Sequence, residues 1–178
     1  GADGDDIITW ESGITINGDL TSSTVRNGLF QGGLDNDQIT LQVDTLIDTS
    51  IFGASAAEGK NDGDDTVFVG GYTGTDGSSV NVEVDGLFLT GNAGEDVIAV
   101  GSDPFADEAA ANIVDSTIHG GKNDDQISVG ARFDLDDTSI FGGLGDDTVF
   151  VEVGRDITSS KIKIHCNFRL VSSRTRPY

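Results

Sequence analysis

The chain has 178 residues, enough for one domain with a core, and a formal net charge of −21 from 31 acidic and 10 basic residues. Six of the basic residues (Arg155, Lys161, Lys163, Arg169, Arg174 and Arg176) fall in the last 24 positions, so residues 1–154 alone carry a net charge of about −26. Such a body repels nucleic acid and anionic lipid and attracts cations; the single Cys166 rules out an internal disulfide, and no apolar run is long enough to span a membrane.

In chain order, the first element is a glycine-aspartate nonapeptide, G-A-D-G-D-D-I-I-T at Gly1–Thr9. No initiator methionine or signal peptide precedes it, so the chain reads as a piece of something longer, cut at a repeat boundary. Ser23-Thr24-Val25-Arg26 is a short alternating stretch, and G-G-L-D-N-D-Q-I-T follows at Gly32–Thr40. Ile39-Thr40-Leu41-Gln42-Val43 alternates with β-branched residues and predicts a strand with one buried face. A second alternating stretch, Thr49 to Gly53, precedes a glycine-rich insertion over Gly53–Gly63 and the copy K-N-D-G-D-D-T-V-F at Lys60–Phe68, which lacks both leading glycines. Another insertion covers Gly70–Ser79. An irregular alternation from Val84 to Thr90 then leads into G-N-A-G-E-D-V-I-A at Gly91–Ala99.

The longest insertion, Gly101–Asn112, holds Asp103-Pro104 ahead of Phe105 to Ala111, which predicts one helical turn capped by Asp103. Ser116 to Gly120 precedes G-G-K-N-D-D-Q-I-S at Gly120–Ser128, and Thr138 to Gly142 precedes G-G-L-G-D-D-T-V-F at Gly142–Phe150. Val149 to Val153 and Ser159 to Ile164 are the last alternating stretches. His165-Cys166 then replaces the expected glycine pair, and 165–178 is a basic, non-repeating tail or cap.

Aligned on their sixth position, the copies place aspartates at 6, 37, 65, 96, 125 and 147, each with an aliphatic residue two positions on. The shortest interval, from Asp125 to Asp147, is 22 residues, and the excess in the others lies in the insertions. A turn-then-strand unit recurring in register predicts an all-β, right-handed parallel β-solenoid of about six coils over 1–164, with two strands and two turns per coil. An ordinary β-sandwich is the competitor, but it gives no reason for one turn to recur six times with its aspartate in register.

The nonapeptide resembles the hemolysin-type calcium-binding (RTX) repeat, G-G-x-G-x-D-x-U-x, and residues 142–150 match it at every defined position. The resemblance implies Ca²⁺ held between stacked turns by backbone carbonyls and carboxylates, the hard oxygen donors that this ion takes in tolerant geometry. The ligand set it implies is Asp6, Gly33, Asp35, Asp37, Asp62, Asp65, Asp96, Gly121, Asn123, Asp125, Gly143, Gly145 and Asp147. One ion between each adjacent pair of turns makes roughly five, in a single row rather than the family's usual two, because the second turn of each repeat lacks the motif. The metal-free alternative is that these aspartates cap glycine turns through side-chain-to-backbone bonds.

His119 and His165, the only histidines, pair with no nucleophile and match no zinc spacing; His119 is placed on an outward ladder with Phe52, Phe141 and Lys163. Trp10, Tyr72, Phe52, Phe68, Phe141 and Phe150 are candidates for contact with sugar or a partner, or for packing under the inserted loops. The expectation is a non-enzymatic, calcium-binding scaffold, adhesin, surface-layer or filament element of a large secreted or cell-surface bacterial protein. Its partners would be Ca²⁺, neighbouring copies or continuing repeats, and cell-surface glycans. The alternative is a module, or a catalytic β-helix, of an extracellular polysaccharide-acting enzyme.

Overall fold

The structure is a computed structural model that describes residues 4–11, 15–16, 19–20, 24–54, 63–73, 79–101 and 111–163. Among the described residues the chain is all-β, and its strands fall into three parallel rows with one strand of each row per coil. The first row follows the motif: Ile7–Glu11, Gln38–Gln42, Thr66–Gly70, Val97–Val100, the start of Gln126–Asp136, and Thr148–Val153. The second row is Thr24–Arg26, Thr45–Ile47, Val82–Asp85, Ala111–Val114, the end of Gln126–Asp136, and Ile157–Thr158. The third row runs into the next motif: Leu29–Gly33, Ser50–Ala54, Phe88–Ala93, Thr117–Lys122, Ser139–Leu144 and Lys161–Lys163. The result is a solenoid-like stack.

The third strand per coil corrects the expectation of two. The middle row is hard to read because its strands are two to four residues long where they stand alone; the first four turn only one or two aliphatic side chains inward, and Ile157–Thr158 at the end is exposed. Val25 therefore belongs to the middle row, paired with Leu46, and the strand that leads into the second motif is Leu29–Gly33. The irregular alternation from Val84 to Thr90 spans two rows, broken at the corner Gly86-Leu87.

That corner recurs in every coil. Asn27, Asp48, Gly86, Asp115, Asp137 and Ser159 all adopt left-handed backbone with φ between 43° and 68°. Asn, Asp and Gly dominate because short polar side chains, or none, tolerate this conformation. The residue after it stacks through hydroxyls: Gly28 N–H donates to Thr49 Oγ1, Leu87 N–H to Ser116 Oγ, Ser116 N–H to Thr138 Oγ1 and Thr138 N–H to Ser160 Oγ. Four of the five junctions between successive corners are tied in this way; the one from Thr49 to Leu87 is not, because leucine carries no hydroxyl.

The core lies between the rows as ladders of like residues. Ile39, Val67, Ile98, Ile127 and Val149 stack in the first row, Leu46, Val84, Ile113 and Leu135 in the second, and Ile51, Leu89, Ile118 and Ile140 in the third. Each contributes about 1.5–3 kcal/mol by burial. Two insertions between the first and second rows carry small antiparallel hairpins, Thr15–Ile16 with Asp19–Leu20 and Tyr72–Thr73 with Ser79–Val80. The helical turn expected after Asp103 lies outside the described residues.

Candidate functional site

The turn joining the third row to the first row of the next coil carries the motif, and its sixth-position aspartates form one continuous column. The N–H of Asp6 donates to Asp37 Oδ1 at 2.7 Å, that of Asp37 to Asp65 Oδ1 at 2.8 Å, and that of Asp65 to Asp96 Oδ1 at 2.8 Å. The column continues from Asp96 N–H to Asp125 Oδ1 at 2.9 Å and from Asp125 N–H to Asp147 Oδ1 at 3.2 Å. Each carboxylate thus holds the backbone of the coil before it. Asp37, Asp65, Asp96, Asp125 and Asp147 are all buried, none more than 4 % exposed.

The second oxygen of these carboxylates is treated differently. In Asp37, Asp125 and Asp147, Oδ2 is buried and accepts no hydrogen bond. It lies against the α-carbon of the glycine that opens its own turn, respectively Gly32, Gly120 and Gly142. A side chain at Gly120 would fall on Asp125 Oδ2 and on the Gly142 carbonyl oxygen, so only glycine leaves the slot open. Burial pushes the Asp125 carboxyl up to about 7, helped by the charges of Asp147 and Asp124 and opposed by the bond from the Asp96 backbone. Burial raises Asp37 as well.

A second, exposed ladder runs beside the first through position five, in the opposite sense. Asn36 N–H donates to Asp5 Oδ1, Asp64 N–H to Asn36 Oδ1, Glu95 N–H to Asp64 Oδ1 and Asp146 N–H to Asp124 Oδ1, at 2.8–3.2 Å. Position four is left-handed: Asp35 has φ 68° and Asn123 φ 72°, where other copies have Gly94 at 133° and Gly145 at 138°. Asp35 and Asn123 therefore stand where glycine is the rule because their side chains tolerate that backbone.

The structure brings Asp6, Asp37, Asp65, Asp96, Asp125 and Asp147 together as one column. It stacks Gly121 and Gly143 in a second, beside Asn92. Gly33 pairs with Ala54, which corrects the alignment of the third motif. Gly53, not Lys60, fills the opening glycine position, because its α-carbon faces Asp65 Oδ2 and the Gly91 carbonyl. The insertion thus splits this motif between Ala54 and Gly63, and Asp62 lies outside the described residues. The missed signal was Ile51-Phe52-Gly53-Ala54, a near copy of Ile140-Phe141-Gly142-Gly143.

Every candidate donor on this edge is a hard oxygen. Among the described residues no three His, Cys, Asp or Glu side chains group closely enough to hold an ion by themselves, so backbone carbonyls would have to complete any shell. The buried carboxylate oxygens of Asp37, Asp125 and Asp147, charged by nature and without a hydrogen-bond donor, fit a divalent cation of that kind. Compared with known proteins, the chain matches no family model, no curated relative and no solved structure. The RTX resemblance therefore rests on the nonapeptides themselves.

The raised carboxyls give an expected pH dependence. Asp125 binds its proton more tightly folded (about 7) than its ordinary value of 3.8, so the stability it contributes is full below about pH 4 and is lost as pH rises through about 7. In chelator, the β-sheet circular dichroism kept at low pH is expected to be lost across that window. A flat profile would show that the column ionises at no cost.

Proposed function

We propose that the chain is a calcium-stabilised structural segment of an extracellular or cell-surface protein, a right-handed β-solenoid whose glycine-aspartate edge binds a row of Ca²⁺ ions. The observation that carries this reading is the column of buried carboxylates, with Asp37, Asp125 and Asp147 each presenting an oxygen that no donor satisfies. Like charges stacked about 4.8 Å apart, coil upon coil, repel strongly away from water. Divalent cations remove that repulsion; protonation removes it only at lower pH. The residues that would hold the ions are the column aspartates together with backbone carbonyls of the stacked turns. When bound, the ions supply charge neutralisation and cross-coil ligation, not catalysis, and the function is scaffolding or adhesion.

The hydrogen bonds of the column favour one rival: a metal-free ladder in which aspartate acts only as a backbone cap. Asp125→Asn separates the two. Asparagine keeps an oxygen for the Asp96 N–H but carries no charge, so in chelator the variant is expected to keep more β-sheet signal than the largely unfolded wild type. In calcium the order should reverse, since one ligand charge is gone. A variant that tracks the wild type under both conditions would leave the metal-free ladder as the answer.

A further inference from the structure

The outward face of the third row carries a groove that the calcium edge does not use. Its floor is backbone: Gly121 and Gly143 pair directly across adjacent strands and raise no side chain. One wall is the ladder His119, Phe141 and Lys163, three consecutive coils in register. The other is Lys122 paired with Leu144, both exposed. The groove, about 410 Å³, therefore runs along the stacking axis, across the strands.

Its composition is out of keeping with the molecule. Residues 1–154 hold only four basic side chains, and one of them, Lys122, lines this groove opposite Lys163, with no acidic residue among the described residues of the lining. The His119 and Phe141 rings meet edge to face at 6.0 Å, and farther along the same face Phe52 and Phe88 pack at 5.7 Å. The face thus offers ring surfaces with a polar imidazole, and cations at sparse intervals. The lining repeats with the coil, about every 4.8 Å.

We propose that this groove binds a linear carboxylated polysaccharide. Four features select that ligand. Aromatic side chains present a large apolar surface with defined geometry, which suits the C–H faces of sugar rings. A coil spacing close to the length of one sugar unit in an extended chain lets successive units meet successive coils. Lysine ammonium groups attract carboxylates, and a lining free of acid avoids repulsion at contact. Two lysines across three coils match the single negative charge per unit of a uronate chain better than the several charges per unit of a densely sulfated one. The surrounding acidic body repels such a chain at long range, but that repulsion is screened beyond about 8 Å at physiological salt. The site adds a partner to the extracellular adhesive reading and rests on the fold that reading makes calcium-dependent, but no calcium ligand lines the groove wall of His119, Phe141 and Lys163.

The test is isothermal titration of the whole chain, in calcium, with polygalacturonate oligomers, a neutral galactan and polyglutamate. Polygalacturonate is expected to bind, with affinity that falls as salt rises. Phe141→Ala, and Lys122→Glu with Lys163→Glu, should each weaken binding about tenfold or more, whereas Phe150→Ala on the first row should not. Circular dichroism of each variant confirms that the outward substitutions leave the fold intact. Equal binding of neutral galactan, binding of polyglutamate through the same residues, or indifference to the groove variants would each overturn the proposal. If chelator abolishes binding together with the β-signal, the result bears on the calcium reading. If the groove variants fail to weaken binding while the fold still responds to calcium, the result sinks only the groove.

Discussion

Chelation of calcium is expected to remove most of the β-sheet circular dichroism of this chain at neutral pH, and added CaCl₂ to restore it. The charge balance sets the scale, because residues 1–154 carry about −26 and a column of aspartates lies buried within the stack. Extracellular calcium modules bind at about 10⁻⁴–10⁻³ M. At tenfold excess over such a constant, each ion adds about 1.4 kcal/mol to stability. Five ions then contribute about 7 kcal/mol, comparable with the whole stability of an ordinary domain of about 5–15 kcal/mol. Their removal should leave the acidic repeats largely unfolded, with metal binding and folding one event. Magnesium should restore little, since it is smaller, demands octahedral geometry and gives up its waters reluctantly. Spectra and melting temperature unchanged in chelator would defeat the calcium reading, and the column would then stand as a hydrogen-bonded ladder.

The second large effect belongs to Gly120. Gly120→Ala is expected to cost about 3 kcal/mol or more, read as a fall in the urea midpoint with little change in slope. Its new methyl would fall on a buried carboxylate and on the Gly142 carbonyl oxygen, neither of which is the free end of a flexible side chain. Asp125 is held through Oδ1 by the Asp96 backbone, and Gly142 is part of the next strand in the ladder. To admit the methyl, the carboxylate must leave its slot or two coils must separate. Leaving strips the Asp96 N–H of its acceptor, and separation opens the Ile118–Ile140 ladder. A loss below about 1 kcal/mol would mean that the carboxylate swings aside freely, and that the slot does not hold it for a cation.

Much of this was legible in the residues. The aspartate column follows from six copies of one nonapeptide in register, because identical turns can stack only if each coil advances by one repeat. His119, Phe52, Phe141 and Lys163 fall on one outward ladder, as their places before each motif imply. The middle row was less visible, since its standalone strands are too short for alternation to show. Its better signal was the Asp-Ser or Asp-Thr pair at Asp48-Thr49, Asp115-Ser116 and Asp137-Thr138, which marks the corner after it. The third motif was misaligned because a contiguous window cannot see a turn interrupted by a loop.

By itself, the order of residues determined the local grammar: where glycine permits a turn, where aliphatic residues must face inward, and where negative charge accumulates. Those properties depend on neighbours a few positions apart. Only the tertiary structure decided that Gly53 completes the turn of Asp65, that each Oδ1 grips the coil before it, and that Asp37, Asp125 and Asp147 are left with a buried oxygen lacking a donor. It also placed two lysines about a glycine-floored groove. These relations join residues 22–31 apart along the chain in the hydrogen-bonded column, and stacking one coil on the next is what creates them.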